Sequence, residues 1–214
     1  MKSITKQKPF DEILKLLEDC DKVFITGCGT CTTMTKTGGI EQVEEMKQRL
    51  NDTGKLVTGY VVIPTSCDEM TGTSLKDNEQ AIQDADCILV MSCALGLFKI
   101  GSYVEKSCIP AQDTLFIGVE STPGNFQEVC AQCGQCVLGF TAGICPITFC
   151  HKSLINGPCG GTNNGKCEVD KEKDCAWTLI YNRLNKVGKL DLMRKRLPPK
   201  NYQASVKPRK VKIT

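Results

Sequence analysis

Short apolar runs alternate with stretches whose apolar positions recur every three or four residues through the first 125 residues. Residues 9–20 read as a helix with Ile13, Leu14, Leu16 and Leu17 along one side. Residues 22–26 (KVFIT) then form a short apolar strand. The alternation continues with a helix over 41–51, a strand over 55–63 (KLVTGYVVI), a helix over 74–83 and a strand over 86–91 (DCILVM). A helix over 100–106 and a fourth strand over 113–119 (DTLFIGV) complete it. Apolar strands separated by amphipathic helices predict a parallel sheet covered on both faces, a small doubly wound α/β domain over residues 1–125.

From Phe126 the pattern breaks. Residues 126–175 hold eight cysteines and many glycines, and no period persists. Such a stretch buries too little apolar surface to fold unaided and needs staples. Residues 175–186 (CAWTLIYNRLNK) regain a helical period. The expected organisation is an α/β domain over 1–125, an irregular cysteine-rich metal-binding lobe with its helix over 126–187, and a basic, extended tail over 188–214.

Composition decides what the staples are. Fifteen of 214 residues are cysteine. Disulfides need an oxidising compartment. The N-terminal segment is charged and lacks the apolar core of a signal peptide, and no segment has the apolar length of a membrane span. The expectation is a cytoplasmic protein whose thiols bind metal. An odd number of cysteines, several with two-residue gaps between them, agrees. The net charge of +3 hides an asymmetry. Residues 183–214 carry eleven Lys or Arg against one acid, Asp191, which leaves the rest of the chain acidic. A basic run of this kind is either a docking segment or a solvated terminus. It has Tyr202 as its one aromatic, and no finger spacing with histidine occurs, so nucleic acid is not expected as a partner.

The cysteines fall into sets. Cys28 and Cys31 (ITGCGTC), Cys67 (PTSCDE) and Cys93 (MSCALG) each follow a predicted strand. Open α/β sheets place ligands along the edge formed by strand C-terminal ends, so these four thiols are expected to converge there. Four thiolates suit tetrahedral zinc or a [4Fe–4S] cluster. Cys20, Cys87 and Cys108 read as packing residues. Gly27, Gly29, Gly38 and Gly39 flank the first loop but do not form a dinucleotide fingerprint.

The second set is Cys130, Cys133, Cys136, Cys145, Cys150, Cys159, Cys167 and Cys175. Its opening C-x-x-C-x-x-C is the start of a bacterial ferredoxin run, and Cys145–Pro146 supplies the displaced Cys-Pro element. Triple two-residue spacing favours an iron cubane over zinc, which prefers paired C-x-x-C units. Eight thiols suffice for two four-thiolate sites, and spacing alone does not say which cysteines share a site. His151, the single histidine, reads as structural. No catalytic triad, phosphate loop or paired carboxylates are present, so no self-contained active site is expected.

The segment CAQCGQCVLGFTAGICPITFCHKSLINGPCGGTNNGKCEVDKEKDCAW, residues 130–177, resembles the cysteine-rich C-terminal domain family of methylenetetrahydrofolate reductases. ITGCGTC and MSCALG fit the same family, so the resemblance spans nearly the whole chain apart from the basic tail. It is similar to the small free-standing subunit that accompanies the flavin-bearing reductase subunit in the Wood–Ljungdahl pathway of acetogenic bacteria. The resemblance implies a non-catalytic electron-transfer subunit of an oxidoreductase complex, holding two or three [4Fe–4S] clusters. Its partner would be a (β/α)₈ barrel whose FMN or FAD reduces methylenetetrahydrofolate, with a ferredoxin or further subunit as electron source. Zinc at one site, or a purely structural zinc subunit of the same complex, is the alternative that the family implies. Relatives often carry a third cysteine in the first loop, where this chain has Met34. The visible βα units are too few for an eight-fold barrel, so the folate site is expected elsewhere.

Overall fold

The computed structural model describes residues 2–212, in two compact units, Met1–Phe126 and Gln127–Thr214. The first unit runs β1 (Lys2–Gln7), α1 (Phe10–Leu16), β2 (Lys22–Cys28), α2 (Cys31–Met34), α3 (Ile40–Asp52) and β3 (Leu56–Ile63). It continues with α4 (Met70–Lys76), α5 (Glu79–Gln83), β4 (Cys87–Met91), α6 (Ala94–Gly101), β5 (Ser107–Pro110) and β6 (Gln112–Thr122). The boundary between the units falls within β7 (Asn125–Glu128).

Four parallel strands form the main sheet, in the order β3-β2-β4-β5. Alternate residues of its central strands face opposite layers. Val23, Ile25, Leu89 and Met91 pack with Ile13 and Leu17 from α1 and its C-terminal turn and with Val43, Met46 and Leu50 of α3. Phe24, Ile88 and Val90 pack on the other side with Leu75, Ile82 and Ile100 of α4, α5 and α6. Each fully buried side chain of this kind contributes roughly 1.5–3 kcal/mol, which explains why these strands are apolar throughout rather than alternating. The chain leaves β2 for β3 on one side and returns to β4 on the other. The strand order therefore reverses between β2 and β4, the kind of switch point at whose C-terminal ends open α/β sheets place ligands.

The doubly wound α/β architecture follows the hydrophobic pattern, with four differences. The fourth parallel strand is β5, whereas residues 113–119 lie in β6, which pairs antiparallel with β1 in a separate sheet of order β1-β6-β7. β1 escapes notice because KSITKQ has one aliphatic residue, although Ser3, Ile4 and Thr5 are all buried. The helix expected at 100–106 begins earlier, at Ala94, since ALGLFKIG is apolar nearly all round and shows no stripe. The helix expected at 74–83 is two, divided at Asp77–Asn78.

The second unit has little regular structure: α7 (Pro146–Phe149), α8 (Ala176–Lys186) and 3₁₀ turns at Leu138–Phe140, Leu190–Arg194 and Tyr202–Ser205. Its core is one small cluster, Cys175, Trp177, Ile180 and Leu184, against Ala142, Ile144, Leu190, Leu192 and Met193. Trp177 Nε1 donates to Leu154 O at 2.9 Å, fixing the loop over α8. The tail is not simply extended, for it carries the last two 3₁₀ turns and folds back within its own unit. Ile213 and Thr214, at its end, lie outside the described residues. Among the described residues no helix is long and apolar enough to cross a membrane.

Candidate functional site

The sheet edge carries the first thiol set. Cys28 ends β2, Cys31 opens α2, Cys67 lies between β3 and α4, and Cys93 caps the start of α6. Burial raises the Cys67 thiol, and negative charge on Cys93, Cys28, Cys31 and Asp68 raises it further. The three other thiols are thus near enough to act on Cys67. Cys28 and Cys93 are buried, Cys31 is half-buried and Cys67 is exposed.

Cys28 is held differently. Burial pushes its thiol up, but hydrogen bonds from the Ser66 N–H, from the Thr30 hydroxyl and N–H, and from the Ser66 hydroxyl outweigh burial and leave it below the ordinary thiol range. The Thr30 hydroxyl lies 3.2 Å from the sulfur. Thr32 and Thr33 hydroxyls both donate to Cys28 O, at 3.1 and 2.7 Å, and lock the turn. The loop closes onto the sheet at Gly38, where an added Cβ would lie 1.9 Å from Met91 O.

In the second unit the eight cysteines divide four and four. Cys130, Cys133, Cys136 and Cys145 line one cavity of about 290 Å³, with Val137, Leu138 and Ile147. Cys150, Cys159, Cys167 and Cys175 line another of about 20 Å³, with Thr162, Val169 and Trp177. Cys145–Pro146 therefore joins the triple motif in space despite the insertion. Main-chain and hydroxyl groups point at the sulfurs: the Gln132 N–H donates to Cys130 Sγ at 3.4 Å and the Thr148 hydroxyl to Cys145 Sγ at 3.5 Å. Cys175 caps α8. Burial raises its thiol, yet the N–H and hydroxyl of Thr178, the Trp177 N–H and the Thr162 hydroxyl together bring it below the ordinary range. Free N–H groups at a helix start favour negative charge in this way. For Cys133, too, burial raises the thiol while Lys200 and the Gln135 N–H more than compensate.

Lys152 reaches towards Cys150 and Cys159 while ion-paired to Glu168. His151 faces Asp170, with 3.8 Å between Nε2 and Oδ2, and lines neither thiol cavity. Cys87 is buried in the core, its thiol pushed far up by burial and by a hydrogen bond with Cys20. Among the described residues no three His, Cys, Asp or Glu side chains meet closely enough to hold a metal ion. The eight thiols of the second unit stand around their two cavities rather than closing on a point.

Thr30, Ser66, Thr178 and Lys200, which serve the sulfurs, were not singled out by motif reading. The first three sit within three residues of a cysteine, a spacing that could have flagged them. Lys200 lies far along the chain from Cys133 and gives no local signal.

Residues 109–203 match the family described as Methylene-tetrahydrofolate reductase C terminal. The match takes in all eight cysteines of the second unit. It is shorter than the nearly chain-long resemblance expected, and leaves Cys28, Cys31, Cys67 and Cys93 outside. No curated protein and no solved structure matches the chain.

Proposed function

We propose, from the premise that residues 109–203 belong to the methylenetetrahydrofolate reductase C-terminal family, that this chain is an iron–sulfur electron-transfer subunit working with a flavin-bearing reductase. The observation that carries the reading is the division of eight thiols into two sets of four, each around its own cavity. Four thiols spread around a space suit the four iron corners of a cubane, one thiolate to each. A bound [4Fe–4S] cluster supplies one-electron transfer, and a partner flavin accumulates two electrons for hydride chemistry.

The chain's own residues do the rest. The N–H and hydroxyl donors around Cys175 favour the thiolate form that ligation requires, and the Gln132 N–H and the Thr148 hydroxyl hydrogen-bond to sulfur at Cys130 and Cys145. Val137, Leu138 and Ile147 give the larger cavity an apolar wall, and Val169 and Trp177 do the same for the smaller. The sheet-edge set, Cys28, Cys31, Cys67 and Cys93, is proposed as a third site. The partner is the FMN- or FAD-bearing subunit that makes methyltetrahydrofolate, with a ferredoxin or further subunit as electron source, in the cytoplasm.

A second reading has one observation behind it. The cavity of Cys150, Cys159, Cys167 and Cys175 has room for about one small ion, at about 20 Å³, and tetrahedral thiolate zinc is that size of group. In its full form this makes the chain a zinc-bound assembly subunit without redox activity.

Iron, zinc and acid-labile sulfide analysis of anaerobically purified protein tests both readings, with Cys133→Ser and Cys167→Ser compared. Brown protein that bleaches on reduction, with each variant losing one four-iron complement, is expected. Colourless protein containing zinc and no iron defeats the electron-transfer reading. Zinc lost in Cys167→Ser alone, with iron retained, assigns zinc to the smaller cavity.

A further inference from the structure

The basic tail has no task in the reading above, yet it is tied to one of the thiol sets. Leu197 N–H donates to Asn156 Oδ1 at 2.7 Å, and Asn156 Nδ2 donates to Leu197 O at 2.9 Å. This paired contact pins the chain where the tail turns back. Beyond it, Asn201 N–H donates to Gln135 Oε1 at 2.8 Å and Arg209 donates to Gln132 O at 2.9 Å. Gly134 runs so close to the tail that an added Cβ would lie 2.6 Å from Ala204 O. All three contacts land between the cysteines of the Cys130–Cys136 loop. Lys200 sits among them, half-buried, with Nζ 3.5 Å from Cys133 O.

The two sets differ in their cations. Lys152, beside Cys150 and Cys159, is neutralised by Glu168. Lys200 has no carboxylate partner among the described residues, so its charge is spent on the loop.

We infer that residues 197–209 form a strap across the Cys130–Cys136 loop, and that Lys200 is a positioning residue whose charge raises the reduction potential of the cluster held by Cys130, Cys133, Cys136 and Cys145. The inference rests on the iron–sulfur reading. Reduction adds one electron to the cluster and its sulfurs, and a cation hydrogen-bonded at a ligand residue stabilises that added charge. Lysine is suited to this because its compact ammonium on a flexible stem reaches from one strand of chain to another.

An EPR-monitored redox titration of the full chain tests it. Cys133→Ser first identifies which signal belongs to this set. Lys200→Met is expected to make that centre about tenfold harder to reduce, about 59 mV for one electron, and to leave the other midpoint in place. Lys200→Arg, which keeps the charge, is expected to stay near the native value. Should Lys200→Met lose iron, Lys200→Gln, which keeps a donor without the charge, is expected to show the same downward shift. Unchanged midpoints in the uncharged variants overturn the role of Lys200. Equal shifts in Met, Gln and Arg variants overturn it too, since they show a packing effect. Protein without iron defeats the functional reading itself, an outcome told apart by metal content before any titration.

Discussion

Single groups in this protein are tuned by which main-chain donors reach them. Cys28 and Cys175 are both buried, which by itself disfavours a thiolate, and both are nevertheless brought below the ordinary thiol range by N–H and hydroxyl donors. Cys87 is equally buried and lacks such donors, so it stays a packing thiol. Burial alone therefore does not decide in which direction a thiol's pKa moves; the donors do. The same logic governs Asp86, far from any thiol. Its carboxylate accepts from Lys22 N–H at 2.7 Å and Asp21 N–H at 2.9 Å and fastens the start of β2 to the start of β4. The Lys22 bond, with that of Asp21, holds its pKa below the usual aspartate range. A carboxylate with a lowered folded pKa stabilises fully above the ordinary value, about 3.9, and loses that contribution as pH falls through the folded value. Asp86→Ala is therefore expected to lower the urea midpoint of the full chain at pH 7, with the gap narrowing at pH 3. A gap that stays constant between the two pH values would show that the charge of Asp86 is not what binds the strands.

At the scale of elements, the site depends on how tightly the β2–α3 connection folds under the sheet edge. Gly38 N–H and Gly38 O both bond to the loop, to Thr32 O at 3.2 Å and from Cys28 N–H at 3.0 Å. Its Cα faces Met91 O and Gln112 Nε2 with no room for a methyl group. Since the obstruction at Met91 is backbone, a side chain cannot rotate away. Gly38→Ala is expected to cost at least about 3 kcal/mol, the upper end of overpacking, and to loosen Cys28 and Cys31 together, seen as faster alkylation of both in metal-free protein. Unchanged stability would mean the connection can move aside without strain. The close approach was not legible in the sequence, because the atoms that meet Gly38 belong to residues 91 and 112. What was legible was whatever a local period could carry. β2, β3 and β4 are apolar runs and α3 has a clean stripe, so they stand out. β1 is polar by composition and buried only because β6 covers it, and β6 is read as a parallel strand until its partner is known. The sharing of eight thiols between two cavities was likewise hidden, since Cys145 joins a motif nine residues upstream through the turns at Ala142 and Gly143, both with positive φ.

Across the whole molecule, the two units fold on different terms. The first has apolar layers on both faces of its sheet, with many side chains withdrawn completely from water. The second gathers four buried residues around α8 and spends much of its length on turns with positive φ, at Gln132, Gly134, Ala142, Gly143, Ser153, Gly157, Gly160, Asn164 and Gly165. Non-glycine residues in that region cost of order 1–3 kcal/mol each and persist only when surroundings impose them. A cluster this small, with a few half-buried side chains around it, is too little core to impose so many turns over this length. On the proposed reading, ligation supplies the difference, because a site absent from the unfolded chain adds its binding free energy to folding. Stripping metal from the full chain anaerobically with a strong chelator is therefore expected to open the second unit alone. Trypsin should then cut at Lys152, Lys166, Lys171 and Lys173, while the fragment up to residue 126 survives with its far-ultraviolet dichroism intact. Equal resistance of both units after the metal is gone would show that the turns are held by packing alone, and that the thiols are not what folds the lobe.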